Sequence, residues 1–202
     1  MDIATEHLAF FTQVAKLVDP KITDEELAFL VAGLRPQQLK KKTIVVSPYK
    51  VHRDIGFVAQ GLVRGYYVDQ KGEEITTRLV DRGNFVTQYS AFLQQTPSAY
   101  YFQCIEDTHL LSFNFEHIQE GYQKFPGLHR FGRLIAESII LTLENRVKSF
   151  HFLSAEERYL QFLEQFPELV NRVSLSYLST YLGITRPSLS RIRGNLSRTK
   201  SL

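Results

Sequence analysis

Apolar positions near the start of the chain recur every three to four residues, with Leu8, Phe11, Val14 and Val18 on one helical face. A second helix opens after Thr23, an N-cap followed by the acidic turn Asp24, Glu25 and Glu26. The span from about Ile3 to Leu34 therefore reads as two short helices. From Leu39 to Phe113 the period drops to two. The runs Thr43–Val46, Ile55–Ala59, Leu62–Val68 and Glu74–Val80 are punctuated by Gln60-Gly61, Asp69–Gly72 and Asp81–Asn84. Short strands with glycine-bearing turns at regular spacing predict a small barrel or jelly roll.

Helical spacing returns at Pro126. Leu128, Phe131, Ile135, Ile139, Leu143 and Val147 form one apolar stripe with Leu134 and Leu141 beside it, and no proline interrupts residues 133–150. A helix apolar on adjoining faces needs more than one neighbour. Two covers fit: the chain's own core, or a second copy meeting it along a seam like a short coiled coil. Ser154-Ala155-Glu156-Glu157 is a capping box that opens a further helix through Tyr159, Leu160, Phe162 and Leu163, ending before Pro167.

The most specific pattern is LSYLSTYLGITRPSLSRIR at Leu175–Arg193. Two helices crossing steeply through a short turn need apolar residues on both, a small residue where they touch and glycine at the turn. Leu178 and Leu182 supply the first helix, Ser179 the close approach, Gly183 the turn, Ile184 the junction, and Leu189 and Ile192 the second helix. Thr185 is the N-cap of that second helix, and Pro187 falls in its first turn, where a missing N–H costs little. Its outward face carries Arg186, Ser188, Ser190, Arg191 and Arg193.

Charge distribution strengthens this reading. The chain totals +3, yet residues 171–202 hold Arg172, Arg186, Arg191, Arg193, Arg198 and Lys200 with no acid, so the other 170 residues sum to −3. A segregated basic end suggests a polyanion-binding module joined to a different kind of domain. Arginine suits a bidentate bond to guanine, and the start of a recognition helix meets base edges in the major groove. A helical hairpin with a solvated polar face is the blander alternative.

At 202 residues and 44% hydrophobic content the chain can fill two modest cores. No apolar run approaches eighteen residues and the N-terminal segment is acidic and amphipathic, so a soluble, cytoplasmic protein without a membrane partner is expected. Cys104 stands alone, unable to form an internal disulfide or a thiolate cluster, and reads as a small buried hydrophobe. The six histidines show no His-x-His or i, i+4 pairing, so neither a metal nor another cofactor is expected. Gly-x-Ser-x-Gly, phosphate-loop and dinucleotide patterns are missing too, and with them any basis for an enzyme.

On these residues the chain resembles the Crp/Fnr family of transcription regulators over nearly its whole length. LGITRPSLSRI looks like the versions carried by Bacteroidetes members, and IGFVAQGLVRGYYVDQKGEEITTRLVDRGNFV looks like the family's β-roll. The resemblance implies an α+β fold in three parts: an N-terminal β-roll or jelly-roll sensor domain flanked by helices at 1–126, a long dimerisation helix at 127–150, and a C-terminal, winged-helix-like helix-turn-helix domain at 151–202. It implies a homodimer that binds DNA, with RNA polymerase and a small-molecule effector as further partners. Residues matching Arg186 and Arg191 contact bases in the family, while those matching Ser174, Ser176, Thr185 and Ser188 sit near phosphates. Pro187 stands where an acid often follows the first arginine, so the preferred half-site need not be the usual one. Little chain follows the recognition helix to build a wing.

Cyclic-AMP-binding members hold the ribose with a glutamate and the phosphate with the arginine of an Arg-Ser pair. Aligned on Gly83-Asn84-Phe85, those positions become Gln88 and Ser98-Ala99, and the adenine-facing pair becomes Leu143-Glu144. Gly83, Phe85, Gln88, Ser90, Ser98, Ala99, Tyr100 and Leu143 thus mark a degenerate effector pocket, and cyclic AMP is not the expected effector. Arg64, Arg78 or Arg82 reaching inward would reverse that. Tyr89, Phe92, Tyr100, Tyr101 and Phe102 fit either another ligand's pocket or the barrel core. A sensor or scaffold whose helix-turn-helix binds protein is the alternative function.

Overall fold

The computed structural model describes residues 3–199, with side chains from 4 to 196. The side chain of Arg198 and all of Lys200, counted in the basic end, lie outside the described residues. Contacts divide the chain into two compact units, the first made of 1–66 and 79–139 and the second of 67–78 and 140–202.

The first unit opens with helices α1 (Ile3–Val18) and α2 (Asp24–Ala32). The Thr23 hydroxyl accepts the Glu26 N–H while the Glu26 carboxylate accepts the Thr23 N–H, closing a capping box. Eight strands follow: β1 (Arg35–Leu39), β2 (Ile44–Val46), β3 (Asp54–Gln60), β4 (Leu62–Val68), β5 (Glu74–Asp81), β6 (Phe85–Val86), β7 (Tyr101–Cys104) and β8 (Thr108–Asn114). They form two four-stranded sheets, β1-β8-β3-β6 and β2-β7-β4-β5. A short helix α3 (Tyr89–Gln94) leaves β6, and α4 (Phe115–Lys124) follows β8.

The sheet holding β3 and β8 is covered on both faces, which is why β3 reads as a nearly unbroken apolar run from Ile55 to Ala59. Val58 and Leu110 enter a core rich in β-branched side chains, with Val46, Val63, Val80 and Val86. Phe57, Leu111 and Phe113 point the other way, toward α1 and α2. Phe11 of α1 meets Phe57 edge-on at 5.2 Å and Phe113 at 5.4 Å, so period-two alternation separates two apolar cores instead of core from solvent. Gly61 turns β3 into β4 at φ +105°. A Cβ there would come within 2.5 Å of the Thr108 hydroxyl and 2.7 Å of its Cα, leaving room for glycine alone.

Helix α5 (Pro126–Phe152) runs 27 residues. The single apolar stripe seen in the sequence is divided along it. Leu128, Phe131 and Ile135 are buried in the first unit's own core with Ile139 packed against them, whereas Leu143 and Val147 are exposed. Arg130, also on α5, donates from Nε to the Asp19 carboxylate at 2.8 Å, and Asp19 is buried.

Apart from the hairpin segment 67–78, the rest of the second unit is helical: α6 (Ala155–Gln165), a 3-10 turn at Pro167–Leu169, α7 (Leu175–Leu182) and α8 (Arg186–Thr199). Ser154 and Glu157 close the expected capping box at the start of α6. Tyr159, Phe162, Leu169, Leu178, Leu189 and Ile192 are buried here.

Candidate nucleic-acid interface

The turn between α7 and α8 is built from the C-terminal end of α7. Gly183 adopts φ +67° and ψ 36°, and its N–H bonds the Ser179 and Thr180 carbonyls while the Ile184 N–H returns to Ser179 O at 3.0 Å. A Cβ on Gly183 would meet the Phe150 ring at 2.6 Å. Ser179 is buried, and its hydroxyl donates to Ser176 O. Helix α8 then starts cleanly: the Thr185 hydroxyl accepts the Ser188 N–H at 3.3 Å and lies 2.9 Å from the Ser188 hydroxyl.

Leu189 and Ile192 fix α8 on its inner side. Helical geometry then aligns Arg186, Ser190 and Arg193 along one outer strip, with Arg191 beside it. Thr185, Arg186, Ser190 and Arg191 are exposed, while Ser188 and Arg193 are half-buried. Ser174 is exposed and caps α7, its hydroxyl accepting the Tyr177 N–H at 3.2 Å, and Ser176 is exposed in the first turn. No acidic side chain occurs on either helix, and among the described residues Arg186 and Arg191 have no ion-pair partner.

Two arginines that sequence reasoning did not single out hold this element in place. Arg146 of α5 donates to Tyr181 O at 2.7 Å and lies 4.0 Å over the Tyr181 ring. Arg158 of α6 donates to Leu182 O at 2.9 Å and to Leu153 O at 2.7 Å. Together they satisfy carbonyls that end α7 and place cations at the negative end of its dipole. Burial pushes the Arg146 guanidinium pKa down, opposed by Tyr181, yet arginine remains a cation at neutral pH. Opposite them, the Thr180 hydroxyl donates to Thr76 Oγ1 at 2.9 Å and accepts the Thr76 N–H at 3.2 Å, tying α7 to the hairpin segment 67–78. No local pattern marks these residues, because an arginine at a polar helical position looks solvated until the partner carbonyls are placed.

The second group of expected site residues disperses. Gly83 sits in the turn before β6 at φ +88°, and Phe85 packs on Phe57 at 5.4 Å toward the outer core. Gln88 caps α3, accepting the Ala91 N–H and donating to the Ser90 hydroxyl at 2.7 Å. Ser98 is buried, its hydroxyl accepting from Tyr100 N and donating to Tyr100 O. Ala99 is exposed, Tyr100 half-buried, and Leu143 belongs to the second unit, exposed. Arg82 donates to Ala59 O and stacks 3.9 Å over Phe10. Arg78 is held in the second unit, where burial lowers its pKa and Tyr181 raises it. Arg64 is 1% exposed and lies 4.3 Å over the Tyr66 ring.

The five aromatics divide as well: Phe102 is buried within the roll, Tyr101 stacks on Tyr66 at 5.0 Å, and Phe92 joins the outer core. Folding brings His7 and His109 to 4.7 Å, a ring contact between a helix and a strand that no spacing rule reveals. Among the described residues no group of three or more His, Cys, Asp or Glu is placed to hold a metal ion. Cys104 is buried, and burial raises its thiol pKa. No described helix is long and apolar enough to cross a membrane.

A domain whose β-roll carries a short helix after β6 and hands over to a long helix defines a class. Residues 36–125 match the family described as the cyclic nucleotide-binding domain. Solved structures share the fold well beyond that span. The c-di-GMP responsive global regulator CLP of Xanthomonas campestris aligns over 88% of this chain and 93% of its own, at 16% identity and TM-score 0.70. FixK2 of Bradyrhizobium japonicum aligns over 83% and 86%, at 16% identity and TM-score 0.73. A CRP/FNR-family transcriptional regulator of Thermus thermophilus aligns over 82% and 87%, at 18% identity and TM-score 0.67. No curated protein matches the chain in sequence.

Proposed function

We propose that the chain is a sequence-specific DNA-binding transcription regulator of the Crp/Fnr type. The observation that carries this reading is the second unit: two capped helices around Gly183, a buried inner side at Leu189 and Ile192, and an acid-free outer strip with Arg186 and Arg191 free of ion pairs among the described residues. Arg186 and Arg191 meet base edges, while Ser174, Ser176, Thr185 and Ser188 fix the register on phosphates, with Ser190 and Arg193 flanking. Residues 1–126 serve as sensor, 127–150 as dimerisation helix and 151–202 as reader. A regulator of this kind works with RNA polymerase and performs no catalysis.

The protein acts as a homodimer, and the exposed stripe Ile140, Leu143 and Val147 on α5 is the seam. Two copies present two recognition helices about one DNA turn apart, roughly 34 Å. Cyclic AMP is not the effector: Gln88 is used as a helix cap, Ser98 is closed on Tyr100, no cation stands in the loop from Gln94 to Tyr101, the inward Arg64 is placed over the Tyr66 ring and Arg82 is bonded to Ala59 O. A buried phosphate without a cation is costly.

Selection of bound sequences from a random DNA pool tests the reading and returns the half-site. An enriched palindrome with half-sites one turn apart is expected. No enrichment, with α7–α8 instead capturing protein, would replace DNA by a protein partner.

A further inference from the structure

We infer that the first unit holds a second small-molecule site outside the β-roll, an apolar cavity for a neutral, phenol-sized aromatic molecule. The cavity has a volume of about 70 Å³. Ile55 and Phe113 of the sheet form its floor, Phe92 of α3 and Ile118 of α4 its sides, and Leu128 and Ile135 of α5 its far wall. It stays clear of the loop aligned with a cyclic nucleotide's phosphate, since neither Ser98 nor Ala99 lines it, and shares Phe85 with the degenerate effector pocket.

The walls decide the ligand class. They contain no Asp, Glu, Lys or Arg, so an anionic or cationic ligand would lose its hydration without a partner. Phe85 and Phe131 add two more rings, favouring edge-to-face contact with an aromatic guest. Polarity enters through Tyr89 and Tyr122, whose hydroxyls have no hydrogen-bond partner among the described residues. Burial raises both phenol pKa values, and Tyr89 raises that of Tyr122 further, so each keeps its O–H at neutral pH. Of the two other polar side chains, His117 is already committed, with Nε2 3.0 Å from Phe29 O and its ring stacked on Phe29 at 4.2 Å, and Gln119 is an uncharged, half-buried amide. Two phenol hydroxyls in an apolar chamber suit a guest with one hydrogen-bonding group.

Glycine keeps this space from closing unevenly. A Cβ at Gly121 would come within 2.8 Å of the Phe29 ring and 2.9 Å of Leu128, and at Gly132 it would strike the Tyr122 hydroxyl. The volume is about half of the roughly 150 Å³ at which a closed apolar cavity accepts benzene. A ring therefore seats with part of its body toward the mouth, where Leu93 is 52% exposed.

The test is methyl NMR on the full chain, titrated separately with p-cresol and toluene, following Ile55, Ile118, Leu128 and Ile135. Saturable shifts at these methyls with both probes are expected, with p-cresol tighter. Filling the chamber with Ile118→Phe should weaken both probes at least tenfold. Leu93→Trp, a change at the exposed rim that leaves the core untouched, should also weaken both. The double variant Tyr89→Phe, Tyr122→Phe should spare toluene and weaken p-cresol by roughly three- to tenfold, the scale of a net hydrogen bond. No saturable shift up to the probes' solubility, or shifts that persist unchanged in both filling variants, overturns the site. Equal affinity of p-cresol for wild type and the double tyrosine variant overturns the role given to the hydroxyls. None of these outcomes depends on DNA binding.

Discussion

Gly183→Ala is the sharpest probe of the reader element. Gly183 holds φ +67°, and an L-residue in that left-handed region costs about 1–2 kcal/mol. A second cost comes from space, because the new Cβ would stand 2.6 Å from a Phe150 ring carbon. Phe150 is 42% exposed, so its ring can swing outward, which limits this part to roughly 1 kcal/mol of lost packing and rotamer strain. The sum is about 2–3 kcal/mol. For a protein of this length a melting temperature lower by about 4–12 °C follows if unfolding is cooperative. The chain has two units, so hydrogen exchange on α7 and α8 amides should accompany the melt and show the loss concentrated there. A cycle with Phe150→Ala separates the parts: without the ring, Gly183→Ala should cost only the backbone portion. Gly183→Asn should recover part of the backbone portion, since asparagine tolerates this region better. A stability change below about 0.5 kcal/mol for Gly183→Ala would refute both the left-handed turn and the Phe150 contact.

Four further outcomes follow from the same structure. Arg191→Ala should weaken the selected DNA site by about 1–3 kcal/mol and relax one base pair, whereas Ser188→Ala weakens all sequences more evenly, as fluorescence anisotropy across a salt series would show. Replacing Leu143 and Val147 with aspartate should give monomers in sedimentation, and an unchanged dimer would move the seam elsewhere on the chain. Arg130→Ala leaves the buried Asp19 carboxylate with only the Lys21 N–H among the described residues and should cost about 2–4 kcal/mol by urea denaturation. His7 has its pKa lowered by burial first and by His109 second, so below the ordinary 6.5 the unfolded chain binds the proton more readily; stability should fall as pH drops from about 6.5 toward the lowered value, and His7→Gln should flatten that slope.

Sequence alone settled what depends on near neighbours. The Thr23 cap, the Ser154 capping box, the glycine turns at Gly61 and Gly183 and the Thr185 cap are each decided within about four residues, where backbone geometry and a single side chain determine the outcome. The period change between helix and strand regions was legible for the same reason. Which side of an apolar stripe meets which neighbour was not, and the long helix shows it: Ile135 and Val147 share the stripe, yet one is buried in the chain's own core and the other is exposed. Nor could spacing show that β3 separates two cores, that Arg146 and Arg158 close the end of α7, or that Tyr89 and Tyr122 face one chamber. Those facts join residues tens of positions apart. An apolar side chain gains the same free energy against any apolar surface, and a cation serves any carbonyl within reach, so only the packed chain decides which partner each one has.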